Sequence, residues 1–393
     1  MKKILFLQIK GNSCGGVWFV NKTIGEELIN NNYDVEIMSI RDTHDNIKLE
    51  HDKKLKVSII NKIDNWEIVH FTDIKDAIKK FKFILSIKLI LRKIVDNYKL
   101  KCDYIKLANY IKKNNFDYII STHYQLLDAI PKRFYNRTFY EHHTSFSISY
   151  QNKYIKKYFD KYNGRVDYIW LSKTACDEAI NKGYKNSTYL YNPVRFTTRK
   201  RASVTSNKKL VTLARISSEK RIDLMIKIVD DIFKEKKYND WSLEIYGDGP
   251  LKEKINTMDY NKDKIKFMGN TDKVLDVLLT SSINLNTSLF EGFSMGILEA
   301  AVCGVPTISF YFGESISEEI IQNKTGIYVN QNDIDAYKEK LKLLMDNEKL
   351  LDEFSVNCKE YAKLFYKENI VKSWINLFEE KNHEQIKKVK KGN

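Results

Sequence analysis

Residues 290–306 read FEGFSMGILEAAVCGVP, Phe290 to Pro306, and hold two glutamates, Glu291 and Glu299, with seven residues between them. Gly292, Gly296 and Gly304 punctuate the stretch. Ser294 fits the N-cap of a short helix, and Gly304 with Pro306 behind it fits the end of that helix. Glu291 then stands in the preceding loop, and Glu299 lies more than one turn inside the helix. The backbone N–H groups of residues 294–297 would point out of the helix start, which suits an anion. The plain alternative is an amphipathic helix with two solvated acids. Two features argue against it. Leu298, Ala300, Ala301 and Val302 give Glu299 apolar neighbours, and Gly292 and Gly296 let a ligand come close to the backbone.

Outward from this stretch, short apolar runs alternate with helical patterns along the whole chain. In the first half the expected strands are 3–10, 34–40, 67–71, 117–122, 137–142, 167–172 and 187–191. In the second they are 209–216, 241–246, 264–268, 283–287, 306–311 and 326–329. Such alternation predicts parallel sheets with helices on both faces. Two series imply two doubly wound domains, each binding at the carboxyl ends of its strands. The polar, basic stretch at 192–209, NPVRFTTRKRASVTSNKK, is the expected boundary. Residues 350–382 read as helix, and the closing KKVKKGN as a frayed basic tail.

The 393 residues suffice for two domains, and 43% hydrophobic with 30% charged residues fits a globular protein. Five cysteines are scattered, with no C-x-x-C pair, which argues against a disulfide framework or zinc site and for a reducing cytosol. The opening MKKILFLQIKGN has the basic start of a signal peptide, but its apolar run is short and no cleavage site follows. The run at 81–93 is broken by Lys88, so no bilayer span is expected. Net charge is +15. Residues 1–195 hold 34 basic and 21 acidic residues, against 32 and 30 in the remainder, so the first half is expected to meet something anionic.

These residues resemble the retaining glycosyltransferases of family 4, of bacterial surface-glycan type. The signature with two glutamates is FEGFSMGILEAAVCGVPTI. LARISSEKRID matches a strand-end arginine followed by Glu-Lys, IYGDGP a Gly-Asp-Gly-Pro turn, and IKFMGN the next strand and turn. SEEIIQNKTGIYV resembles the segment closing the nucleotide domain, and YNPV the lead-in to the linker. KGNSCGGVWFVN, FYEHHTSF and FYKENIVKSWINLFEE resemble a Gly-Gly turn, a Glu-His element and a final crossover helix. Singly these are weak, but their order and spacing are specific.

The resemblance implies a GT-B fold, two Rossmann-like domains facing across a cleft. Residues 1–195 would form the acceptor-side domain, 196–207 the linker, and 208–362 the nucleotide-sugar domain. Residues 363–393 would be a helix returning to the first domain, with the basic tail. Arg215 and Lys220 would clamp the pyrophosphate and stabilise the leaving nucleoside diphosphate in place of a metal. The plain reading of those two is surface pairing with Glu219 and Asp223. Glu299 would accept from the ribose hydroxyls, and Glu291 would face the donor sugar and its developing positive charge. Backbone N–H groups of Phe293, Ser294, Met295, Gly296 and Ile297 would hold sugar and phosphate. Gly247, Asp248 and Met268 belong to the implied donor site, and Gly15 and Gly16 would let the first domain's backbone approach. The Glu-His element points to His142, and the following His-Thr-Ser to His143; His142 is preferred, with a structural histidine pair as the alternative.

No cofactor is implied beyond the donor, a UDP-hexose or UDP-N-acetylhexosamine. The acceptor would be capsule, lipopolysaccharide, teichoic acid or a lipid-linked oligosaccharide. Residues 75–113 carry 12 basic and 3 acidic residues with apolar positions at helical spacing. Such a helix suits an anionic membrane, an anionic acceptor, or simple solvation of its basic face. The expected location is cytoplasmic, with a peripheral site on the inner face of the membrane left open. A sugar-nucleotide 2-epimerase of the same fold and a non-catalytic glycan-binding partner subunit are the competing readings. Nucleic-acid binding would explain the charge but not the ordered motifs.

Overall fold

The computed structural model of the chain describes residues 1–11, 15–42, 52–61, 78 and 83–391. Two sheets organise it. The first has seven strands: β1 (Lys3–Gly11), β2 (Asp34–Asp42), β3 (Lys56–Asn61), β4 (Tyr118–Ser121), β5 (Thr138–His142), β6 (Asp167–Trp170) and β7 (Ser187–Tyr189). Their order is β3-β2-β1-β4-β5-β6-β7, and the pairings from β3 through β5 are parallel. The second has six: β8 (Lys209–Leu213), β9 (Ser242–Tyr246), β10 (Ile265–Gly269), β11 (Ile283–Asn286), β12 (Thr307–Phe310) and β13 (Gly326–Val329). Their order is β10-β9-β8-β11-β12-β13, all parallel. Strand order reverses between β1 and β4 and again between β8 and β11, the switch points where doubly wound sheets bind ligands.

Composition makes these strands: β1 and β4 carry near-continuous apolar runs, as sheets covered on both faces require, and β12, Thr-Ile-Ser-Phe, is buried at all four positions. The second core is closed by helices such as Ile222–Ile232. Its Ile222, Met225, Ile226, Val229 and Ile232 recur at helical spacing and are all buried. β8 is shorter than expected because the chain leaves the sheet at Ala214. From there it bonds to the neighbouring turn, Ala214 N to Tyr246 O and Ile216 N to Asp248 O, both at 3.0 Å.

The expected strand at 67–71 lies outside the described residues. β3 has no counterpart in the sequence reading. It is an edge strand, half-buried along its length, whose KVSIIN pattern lacks a strong apolar run. The tail expected to fray is helical as far as Lys391, as part of the Lys367–Lys391 helix.

By internal contacts the chain divides into two compact units. Unit 1 holds residues 1–141, 157–168 and 380–393, and unit 2 holds 142–156 and 169–379. The expected division at 195 differs from this one, because residues 142–156 and 169–195 are tied to the segment after β12. The Glu314 carboxylate accepts from the Phe146 amide at 2.5 Å. Glu318 accepts from the Lys173 and Thr174 amides at 2.8 Å. No described helix is long and apolar enough to cross a membrane.

Candidate active site

The loops after β8 and β11 carry most of the candidates, at the switch point of the second sheet. After β8 the chain presents Arg215 and Lys220. Thr287, just past β11, donates its hydroxyl to the carbonyls of Lys220 and Arg221 at 2.8 and 3.1 Å, and the Leu289 amide donates to Glu219 O at 2.8 Å. These bonds tie one loop to the other and fix where Lys220 points. Its Nζ lies 2.6 Å from Glu291 Oε1. The same oxygen accepts from Ser288 Oγ at 2.7 Å and from Asn286 Nδ2 at 3.4 Å. Lys220 thus pairs with the first signature glutamate, not with Glu219 or Asp223. Arg215 is exposed and makes no side-chain hydrogen bond among the described residues.

The signature forms the Met295–Val302 helix with Ser294 as its N-cap, and Gly304 adopts a left-handed backbone at its end. Not all the expected helix-start amides are open. Ser294 N donates to Glu319 Oε2 at 2.8 Å, and Ile297 N donates to Ser294 O at 3.1 Å. Met295 and Gly296 keep the amides that no described acceptor takes. Phe293 is buried, its ring stacked on Tyr191 with centroids 5.4 Å apart. Burial pushes the Glu319 carboxyl up to about 8; the nearby Glu291 charge adds to the shift, while the Ser294 amide and Lys220 oppose it.

Glu299 is buried in a bidentate pair with Arg195, through Nη2 to Oε2 at 2.6 Å and through Nε to Oε1. Arg195 received no role from the sequence, although it directly follows the Tyr-Asn-Pro-Val lead-in to the linker. Ser288, Asn286 and the three acids Glu314, Glu318 and Glu319 were likewise unassigned. Glu318 and Glu319 lie within a quoted motif, SEEIIQNKTGIYV, and Glu314 just ahead of it.

The glycine turn after β9 has a packing role. Gly247 has φ 135°, and a Cβ there would lie 2.0 Å from Ala214 O. Asp248 accepts from Gly249 N at 2.7 Å and from Lys252 Nζ at 3.0 Å. Both residues thus shape the loop bearing Arg215. Met268, on β10, is exposed. Gly15 and Gly16 lie in unit 1, at the exposed start of the Gly16–Asn30 helix.

The two histidines differ. His142 is buried, with Nε2 2.8 Å from Ser149 Oγ and its ring edge-on to Trp170 at 5.4 Å. His143 is half-buried, and its carbonyl lies where a Cβ on Gly292 would come within 2.4 Å. The His142 ring packs beside Trp170 and Ser149, whereas the His143 backbone carbonyl lies against Gly292, the residue next to Glu291. No group of three or more described His, Cys, Asp or Glu residues is arranged to hold a metal ion.

Residues 194–365 match the family described as glycosyl transferases group 1. Over 389 residues the chain is 21% identical to an uncharacterized glycosyltransferase of Haemophilus influenzae, covering 95% of this chain and 99% of that protein. Over 170 residues it is 30% identical to the poly(ribitol-phosphate) alpha-N-acetylglucosaminyltransferase of Staphylococcus aureus, covering 42% of this chain but only 34% of that protein. A mutant of Staphylococcus aureus TarM, solved with fondaparinux, alpha-GlcNAc-glycerol and UDP, aligns with TM-score 0.73 at 16% identity. That alignment covers 96% of this chain and 100% of TarM's. The fold is GT-B, as the sequence resemblance implied.

Proposed function

We propose that this chain is a retaining, metal-independent glycosyltransferase that moves a hexose or N-acetylhexosamine from a UDP-linked donor to a bacterial surface glycan. One observation carries the reading: the Lys220–Glu291 contact at the switch point of the second sheet. It joins the cation suited to a leaving diphosphate with the acid suited to an oxocarbenium-like sugar. The Staphylococcus relative's name favours a polyol-phosphate acceptor, and the UDP solved with TarM favours a uridine donor.

In this mechanism Arg215 and Lys220 hold the diphosphate, with the Met295 and Gly296 amides as neutral donors. The acceptor hydroxyl attacks the anomeric carbon on the face from which the phosphate departs. The bond from anomeric carbon to phosphate oxygen breaks, the new glycosidic bond forms, and the acceptor's proton passes to the departing phosphate oxygen. Glu291 stabilises the positive charge that appears on the sugar between those events. His143 hydrogen-bonds the transferring sugar.

A peripheral site on an anionic membrane completes the reading, on the Phe83–Asn114 helix. Ile84, Ile87, Leu91, Ile94 and Tyr98 recur there at helical spacing, each more than half exposed. The exposed Lys88, Arg92 and Lys99 share that surface. Apolar residues flanked by cations suit the boundary between acyl chains and anionic headgroups.

The test is a screen of UDP-, GDP- and dTDP-sugars with polyol-phosphate acceptors, run with and without a strong chelator. Transfer from a UDP-sugar with the anomeric configuration kept, unaffected by the chelator, is expected. Loss of transfer on chelation, restored by magnesium, would sink the metal-independent part. Interconversion of the sugar nucleotide without acceptor would identify a 2-epimerase, and ligand binding with no turnover a non-catalytic subunit.

A further inference from the structure

The segment after β12 carries three acids that each grip a different part of unit 2. Glu319 holds the Ser294 amide at the signature helix. Glu318 holds the start of the Lys173–Asn181 helix and the hydroxyl of Tyr191, at 2.8 Å, the ring that stacks on Phe293. Glu314, only 7% exposed, holds residues 145–147. It accepts from Phe146 N at 2.5 Å, from Ser145 Oγ at 3.1 and 3.0 Å, and from Ser147 Oγ at 3.2 Å.

We infer that Glu314 is a positioning residue for the proposed transfer: by fixing residues 145–147 it holds His143 against the loop that presents Glu291. The inference rests on the glycosyltransferase reading for its functional meaning, but its geometry is independent of it. Only Thr144 stands between His143 and Ser145, too short a tether for much independent movement. The His143 carbonyl lies so near Gly292 that any side chain there would collide with backbone, so the two loops meet main chain to main chain. Gly292 is the residue next to Glu291. A shift of residues 145–147 therefore displaces the surface on which Glu291's loop rests.

A carboxylate is a costly way to fill a buried space, since its desolvation must be offset by several donors. One amide and two hydroxyls supply them here, and together they fix both the height and the rotation of the segment. An apolar side chain would fill the volume without setting either. Glu314 makes none of the contacts that define the Arg215 and Lys220 loop, so its loss should disturb the reacting end of the donor more than the diphosphate end.

The experiment measures kcat, UDP affinity by calorimetry, and backbone hydrogen exchange for the wild type, Glu314→Ala and Glu314→Gln. For Glu314→Ala we expect kcat to fall about 10²-fold, as a misplacement near 1 Å can cause, with the UDP Kd unchanged within about threefold. Exchange should rise at 143–147 and also at 290–294. Glu314→Gln keeps an oxygen for the Phe146 amide and should recover to within about tenfold of wild-type kcat. Should Glu314→Ala not fold, the double variant Ser145→Ala/Ser147→Ala removes two donors and should show the same split in weaker form. Unchanged kcat in these variants, or kcat and UDP affinity lost in proportion, overturns the inference. If the wild type turns over no nucleotide sugar, the proposed activity fails instead. Exchange then still decides the positioning, which is overturned if residues 290–294 stay protected in Glu314→Ala, or in the double variant.

Discussion

Arg195 and Glu299 lock together in a bidentate pair across 104 residues of sequence, the acid buried and the arginine side chain 27% exposed. The arginine stands directly after the Tyr-Asn-Pro-Val stretch, and the acid inside the signature helix. Ribose hydroxyls reaching Glu299 would therefore meet a carboxylate already held in place, with its remaining lone pairs to offer. The pair both orients the acid and ties the chain at Arg195 to the signature helix.

Glu299→Ala should consequently do two things. It should raise the donor KM, since a charged hydrogen-bond partner contributes roughly 1.5–3 kcal/mol. It should also lower folding stability by about 2–3 kcal/mol, below the usual range for breaking a buried pair because Arg195 reaches solvent. Denaturant unfolding of Glu299→Ala, Arg195→Ala and the double variant checks it. Additive losses would mean that the pair contributes nothing.

Glu291→Gln should lower kcat by about 10²-fold, because the charge that opposes a developing cation is gone while the shape remains. Its effect on Lys220 runs the other way. The ammonium loses its 2.6 Å partner and becomes freer to meet phosphate. UDP affinity should hold or improve, and calorimetry against steady-state kcat separates the two. Near-normal kcat with weakened UDP binding would reverse the assigned roles.

Glu319 makes stability depend on pH. Its carboxyl is raised to about 8 in the folded protein, against the ordinary value of 4.5. Between those values the folded state keeps a proton that the unfolded chain has released. Stability from this group is therefore complete below about pH 4.5 and declines as pH rises toward 8, by at most about 1.4 kcal/mol per unit. Glu319→Gln removes that dependence. The stability of the variant relative to wild type should climb from pH 5 to pH 8 in denaturant titrations, and a flat difference would mean that Glu319 is already ionised when folded.

The Phe83–Asn114 helix should carry the protein onto vesicles containing anionic lipid and release it at high salt. Ile87→Asp with Leu91→Asp should abolish co-sedimentation while leaving transfer to a soluble acceptor unaltered. Equal recovery on neutral vesicles would remove the electrostatic part of the assignment.

Local composition was enough to specify the elements. Near-continuous apolar runs separated by helical patterns specify parallel strands covered on both faces, and that periodicity is a local property of each segment. The signature stretch likewise announced its own helix and stop, because a left-handed turn depends on a few adjacent residues, whereas the Ser294 hydroxyl caps no amide. β3 escaped because an edge strand needs no strong apolar run. Which charges meet depends instead on the folding of distant segments onto one another. Lys220 had Glu219 beside it and Asp223 one turn on, yet pairs with Glu291, 71 residues away. Glu299 pairs with Arg195, 104 residues earlier in the chain. Glu314 gathered residues 145–147 into unit 2, which no local pattern near residue 145 could announce. An ion pair or a buried carboxylate has no periodicity. Its partners are fixed by how the sheets bring distant loops together, and by the cost of leaving a buried charge without donors.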